Sequence, residues 1–375
     1  STPFDGGNGG TRTAAVLQKL GGLSWWRGLF FSNRSAHSQH AARQPSRIFL
    51  RDGMLMQQNV VTRKAVCVEE WDPTPSQWDY LLSLQTPEDR ELIQGFRFVA
   101  DSKRSMVARI MLQSCAVTCL GLQFGEAKFG RTLEGRPYVS NTAEKRPGFN
   151  LNLSHHGDWV FLGSEERGVI GVDVVTTKAP RAGEDAETFL LDFEDQLTPW
   201  EWVQVRRNGP ADASLYFAFF IFWALKESYI KAVGLGFGFT LKRAEFTVEE
   251  ALLTPEGWAE ARARALARPG SAELRRGCVE MAIDGERRPE WRVELGVLGD
   301  PDHRVPSHVI AAAIGPHAQA SPSLRDALGA VQDGLGGGEE EGEWMEVECV
   351  KVEALLSGGL REEYVLRGAP SSRPP

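Results

Sequence analysis

No run of about eighteen consecutive apolar residues occurs anywhere in this 375-residue chain, so nothing in it reads as a membrane-spanning helix. Cysteine is scarce. Cys67, Cys115, Cys119, Cys278 and Cys349 are scattered and odd in number, which argues against a disulfide framework and for free thiols in a reducing compartment. Cys115 and Cys119 share a helix face but lack two further nearby ligands, which argues against zinc. Basic charge is not in excess: 42 Lys and Arg stand against 50 Asp and Glu, a net charge of -8. That balance speaks against general nucleic-acid binding but leaves room for a local basic pocket that takes a phosphorylated ligand. Acidic residues are missing altogether from Gly6 to Arg51, a segment with seven basic residues and much Ser and Gly. Residues 1–55 therefore read as a disordered leader; a transit peptide and a merely divergent extension are both consistent with that composition.

What is present suits a folded chain. Apolar residues make up 42% and charged residues 25%, enough for one large or two ordinary domains with a core. The globular texture begins near Asn59. VVTRKAVCVEEW reads as a strand, Asp101–Leu122 as a helix with Asp101 as N-cap, and LTPWEW as a helix start. LKRAEFTVE, WRVELGVL and SHVIAAAIG read as strands. Beyond about Gly315 the chain turns Gly-rich and acidic (DGLGGGEEEGEW), which predicts a flexible tail over residues 317–375.

Two segments carry chemistry. FWALKESYIKAVGLGFGF (Phe222–Phe239) reads as a helix stopped by Gly234, with Trp223, Glu227 and Lys231 stacked on one face. Glu227 lies four residues before Lys231, the better order for an ion pair, and a lone KExxxK is most often just a solvated face. Trp223 reads as packing. VIGVDVV (Val169–Val175) is an apolar strand with one carboxylate. Asp173 shares a face with Gly171 and Val175, opposite Ile170, Val172 and Val174. A carboxylate there is costly unless it is paired, hydrogen-bonded or bound to a cation.

SHHGDW, GVDV and WALKESYIKAVG, in this order, resemble the motifs of the 4'-phosphopantetheinyl transferases. The likeness is to the large two-lobed type, the subgroup that activates aminoadipate-semialdehyde dehydrogenase, and covers roughly Phe96–Phe246. It implies an α+β, pseudo-twofold fold of two similar α/β lobes, residues 56–175 and 176–316, with the active site between them. It implies transfer of 4'-phosphopantetheine from coenzyme A to a serine of an apo acyl or peptidyl carrier protein, with Mg2+ and release of adenosine 3',5'-bisphosphate. Carried over residue by residue, Asp173 and Glu227 are the metal ligands, and Glu227 and Lys231 act with Asp173 in catalysis. Ser154 and His155 take the 3'-phosphate of coenzyme A. Arg131 and Arg136 in GRTLEGRP, together with Arg97, Lys103, Asn152 and Lys226, are further coenzyme A contacts. Val175 stands where many relatives have a second acid, and His156 where subgroup members often have Gln. The resemblance implies a monomer acting in the cytosol, or in an organelle if the leader is a transit peptide, without nucleic acid or membrane. Two other readings compete: a coenzyme A-binding protein of the same fold without turnover, for which Val175 is the best argument, and a metal-dependent phosphodiesterase.

Overall fold

A computed structural model describes residues 61–141, 146–179, 183, 185–207, 209–268, 270–299, 306–329 and 344–369. The expected leader, residues 1–55, lies outside the described residues.

The elements run β1 (Thr62–Cys67), α1 (Pro75–Ser83), α2 (Pro87–Gln94), α3 (Val99–Leu120), the hairpin β2 (Phe129–Arg131) and β3 (Pro137–Val139), then β4 (Asn150–His156) and β5 (Trp159–Glu165). After β6 (Val169–Thr176) come α4 (Ala186–Leu191), α5 (Pro199–Arg206), α6 (Asp212–Val233) and β7 (Ala244–Val248). The chain continues through α7 (Ala259–Ala267), β8 (Ser271–Arg276), β9 (Val279–Ile283), β10 (Glu286–Arg287), β11 (Arg292–Gly299) and β12 (Pro306–Gly315). It closes with α8 (Pro322–Leu328), β13 (Trp344–Cys349) and α9 (Gly359–Gly368). Helices and a largely antiparallel sheet make this an α+β fold.

Local chemistry accounts for the principal ends. Thr74 and Thr198 cap α1 and α5 with reciprocal capping boxes. α3 and α6 are both 22 residues long and both stop at a glycine in the left-handed region, Gly121 and Gly234. α3 starts at Val99, ahead of the expected Asp101, which lies in its first turn and pairs with Arg104.

Eight strands form one sheet in the order β4-β5-β1-β13-β8-β11-β12-β6. Its two outer strands lie side by side, so the sheet rolls onto itself. No backbone ladder joins them; side chains of β4 do. Asn150 Oδ1 accepts from Ile170 N at 2.9 Å, Asn152 Oδ1 from Val172 N at 2.8 Å, and His156 Nδ1 from Thr176 N at 3.4 Å. Inside the roll Ala65, Phe161, Val172, Leu274, Ile310 and Val347 pack together. A buried ion network lies among these strands, with Arg63 Nε on Glu294 Oε2 at 2.9 Å and Arg276 and Arg292 also on Glu294. Outside, α3 covers β4 and β5 while α6 covers β6 and β12.

β6 pairs with β12 along its length, so it opens the second half of the chain rather than closing the first, and the expected boundary at 175 falls inside it. The expected tail is also corrected. β13 sits within the sheet, parallel to β1 and antiparallel to β8, and α9 packs on α1, with Trp71 Nε1 bonded to the Tyr364 hydroxyl at 2.9 Å. Acidic composition hid an alternating strand, Trp344-Met345-Glu346-Val347-Glu348-Cys349, whose Val347 is fully buried.

Candidate active site

The site forms where α6 crosses β6 beside the β4 seam. Gly171 makes the crossing close. A Cβ on it would lie 2.0 Å from Ser228 O and 2.2 Å from Ala232 N, so only glycine lets the helix backbone rest on the strand. Two residues along the same strand face is Asp173, and the helix brings Lys231 onto it. Lys231 Nζ is 2.5 Å from Asp173 Oδ1 and 3.1 Å from Ser154 Oγ, and Ser154 Oγ donates to the same carboxylate oxygen at 2.7 Å. All three are buried. Burial pushes the Asp173 carboxyl up, and the Lys231 charge and the Ser154 hydrogen bond oppose it.

Glu227, one turn before Lys231, is half-buried, and its carboxylate has no hydrogen-bond partner among the described residues. Burial pushes its pKa up to about 7, with Lys231 opposing and the Asp173 charge adding. The expected Glu227–Lys231 ion pair does not form; Lys231 turns to Asp173 instead. Asp173 and Glu227 thus offer hard oxygen donors from two elements that repel one another. A divalent cation between them would relieve that repulsion, so the donor set fits an oxygen-seeking ion that takes few protein ligands.

His155 lies next to this group. Burial holds its pKa down to about 3, helped by the charges of Arg104, Lys231, His156 and Arg109, so its imidazole is neutral. Arg104 ties α3 to the SHHGDW turn through Gly157 O at 2.6 Å. Arg104 and Arg109 both lie on α3, Arg109 bonded to Asp89 and Ser105, and only the fold brings their charge near His155. Arg97 is exposed over the Phe98 ring, and Arg131 is exposed on the β2–β3 hairpin, its Nη1 on Gly135 O at 3.1 Å. Lys103 is anchored to Trp71 O at 2.6 Å.

Three residues expected at the ligand have their side chains engaged inside the protein. Lys226 is fully buried on the far face of α6, its Nζ 2.8 Å from Glu201 Oε2 and bonded to Leu241 O and Ala244 O. Asn152 is used in the seam. Arg136 points inward onto backbone carbonyls at the end of α6 and in β6. Trp223 packs on Phe193 and Phe219, in line with a packing role.

Comparison with known proteins matches the two halves separately. Residues 69–167 match the N-terminal domain model of 4'-phosphopantetheinyl transferase, and residues 169–263 match the 4'-phosphopantetheinyl transferase superfamily. This chain belongs to the 4'-phosphopantetheinyl transferase family. A phosphopantetheinyl transferase of Thraustochytrium sp. is 30% identical over 68% of this chain and 78% of the relative. The L-aminoadipate-semialdehyde dehydrogenase-phosphopantetheinyl transferase of Mus musculus is 32% identical over 65% of this chain and 71% of its own. A 4'-phosphopantetheinyl transferase of Bacillus subtilis is 26% identical over 44% and 66%. Within the family, coenzyme A is the substrate and carrier proteins are the acceptors. The boundary between the two matches falls just before β6, where the sheet pairing also divides the halves.

Proposed function

We propose that this chain moves the 4'-phosphopantetheine group of coenzyme A onto a serine hydroxyl of apo acyl or peptidyl carrier proteins, with Mg2+, releasing adenosine 3',5'-bisphosphate. The observation that carries the proposal is the unpartnered Glu227 carboxylate, poised near neutral pH beside the buried Asp173–Ser154–Lys231 group.

The serine oxygen forms a bond to the β-phosphorus of the pyrophosphate, and the bond from that phosphorus to the bridging oxygen of the nucleotide breaks. Glu227, whose carboxylate has no hydrogen-bond partner among the described residues, takes the serine proton. Asp173 and Glu227 would hold Mg2+, which neutralises pyrophosphate charge when bound. Ser154 fixes the Asp173 carboxylate, and Lys231 balances its charge. His155, a neutral imidazole, donates its ring N–H to the 3'-phosphate, and Arg97, Arg104 and Arg131 supply positive charge around the nucleotide.

The matching order of elements in the two halves supports a pseudo-twofold arrangement. In each half, a first strand leads through two short helices to a 22-residue helix and, after intervening elements that differ between the halves, the chain reaches a hairpin whose second strand returns against the first. The residues of the site come from both halves, as an active site between lobes requires. Acidic net charge supports a role away from nucleic acid. No helix among the described residues is long and apolar enough to cross a membrane. We take the enzyme to be a cytosolic monomer, or organellar if the leader directs it there. The test mixes the protein with apo carrier, coenzyme A and Mg2+ and weighs the carrier intact. A phosphopantetheine mass gain is expected; an unchanged mass with bound coenzyme A would return the reading of a binding protein without turnover.

A further inference from the structure

The C-terminal end of a helix leaves its last carbonyls without intrahelical partners, and α6 accounts for each of them differently. Ile230 O accepts from Gly234 N at 2.9 Å, and Val233 O from Ser321 N at 2.7 Å. The two between, Lys231 O and Ala232 O, accept from Arg136 Nη1, the second at 3.3 Å. The other arm of the same guanidinium, Nη2, donates to Ile170 O at 2.6 Å and to Asn150 Oδ1 at 3.1 Å. Asn150 in turn holds Ile170 N at 2.9 Å and reaches Gly148 O, Glu165 O and Gly168 O through Nδ2.

One planar group therefore grips the helix at Lys231 and the strand three residues before Asp173, at the crossing where Gly171 leaves no slack. The Asp173–Lys231 contact depends on the relative position of these two backbones. Arg136 is itself buried, with every bond directed inward. Desolvation lowers its pKa to about 9, so it stays cationic at neutral pH, opposite the partial negative charge of the helix end. A lysine cannot match this geometry, because the contacts diverge from two nitrogens of one rigid fork.

We infer that Arg136 is a positioning residue for transfer: it sets the register of α6 on β6, and so of Lys231 and Glu227 against Asp173, and does not hold a phosphate of coenzyme A. The inference rests on the transferase reading for its kinetic test and on backbone exchange for one independent of it.

Arg136→Ala and Arg136→Lys are compared with wild type in carrier loading over a range of coenzyme A concentrations. Misplacing reacting groups lowers turnover, so Arg136→Ala should lose on the order of 10- to 100-fold in kcat. Its KM for coenzyme A should stay within about threefold, because no ground-state contact to the ligand is removed. Free guanidinium should restore part of the lost kcat, and Arg136→Lys should fall between the two. Hydrogen exchange in the peptide covering Ser228–Gly234 should rise by about tenfold or more in Arg136→Ala, with α3 unchanged. If Arg136→Ala does not fold, Arg136→Lys carries the same comparison with a smaller loss. A rise of about tenfold in KM at preserved kcat would overturn the inference and make Arg136 a phosphate ligand. Unchanged exchange at Ser228–Gly234 would overturn it too. Wild type that loads no carrier would count against the transferase reading alone, and exchange would still decide the role of Arg136.

Discussion

Glu227→Gln should remove activity and at the same time stabilise the metal-free protein. The Glu227 pKa is raised from the ordinary 4.5 to about 7, first by burial and then by Asp173, against the pull of Lys231. In the folded protein the carboxyl therefore keeps its proton to higher pH than in the unfolded chain. Stability from this group is fully present below about pH 4.5, falls as pH rises through the window to about 7, and is level above it. At about 1.4 kcal/mol per pKa unit, the rise from 4.5 to about 7 makes the loss on the order of 3–4 kcal/mol. Glutamine has no charge to bury. Urea unfolding in EDTA should show Glu227→Gln more stable than wild type by roughly that amount at pH 8 and nearly equal to it at pH 4. Adding Mg2+ should close the gap by stabilising wild type, because an ion between the carboxylates favours their charged forms. Carrier loading should fall on the order of 10²–10⁴-fold. A variant no more stable than wild type at pH 8 would refute the argument that Glu227 is held in a charge-averse place.

Gly171→Ala should cost at least about 2 kcal/mol and most of the activity, because its Cβ must push α6 off β6; thermal melts and carrier loading read both. Lys226→Met should destabilise by about 3 kcal/mol in urea, by leaving Glu201 buried without its cation, while the KM for coenzyme A of the folded fraction stays unchanged. Ending the chain after residue 329 should give protein without a cooperative thermal transition, since β13 is lost from between β1 and β8; a sharp melt equal to wild type would show the strand to be dispensable.

The catalytic strand and helix were legible because their signals are local. VIGVDVV alternates around one carboxylate, and Phe222–Val233 ends at a glycine that the structure places in the left-handed region. β11 and β12 were likewise readable as apolar runs. The fold sets Ser154 and Lys231 on Asp173, with Glu227 and His155 within reach of the Lys231 charge. The inward placement of Arg136 and Lys226 was not legible, because a basic side chain near a motif looks the same whether it faces solvent or a buried carbonyl. Only tertiary contacts show that Lys226 meets Glu201 and that Arg136 meets Lys231 O. The C-terminal strand was missed for a different reason. Its pairing partners, β1 and β8, are distant in sequence, and Glu346 and Glu348 gave WMEVEC the look of the acidic run before it.

The position of β13 bears on how the molecule is made. Lys64 pairs with Glu348, so β1, which meets β5 early, waits for this second neighbour until 284 further residues (348 minus 64) have been made. Until then β1 and β8 present bare edges, and no strand lies between them. Closing a loop of that length is slow, and an open edge recruits other chains while it waits. This far-off strand thus serves as the lock on a nascent enzyme, and chaperone demand and aggregation during expression should rise with anything that delays its arrival.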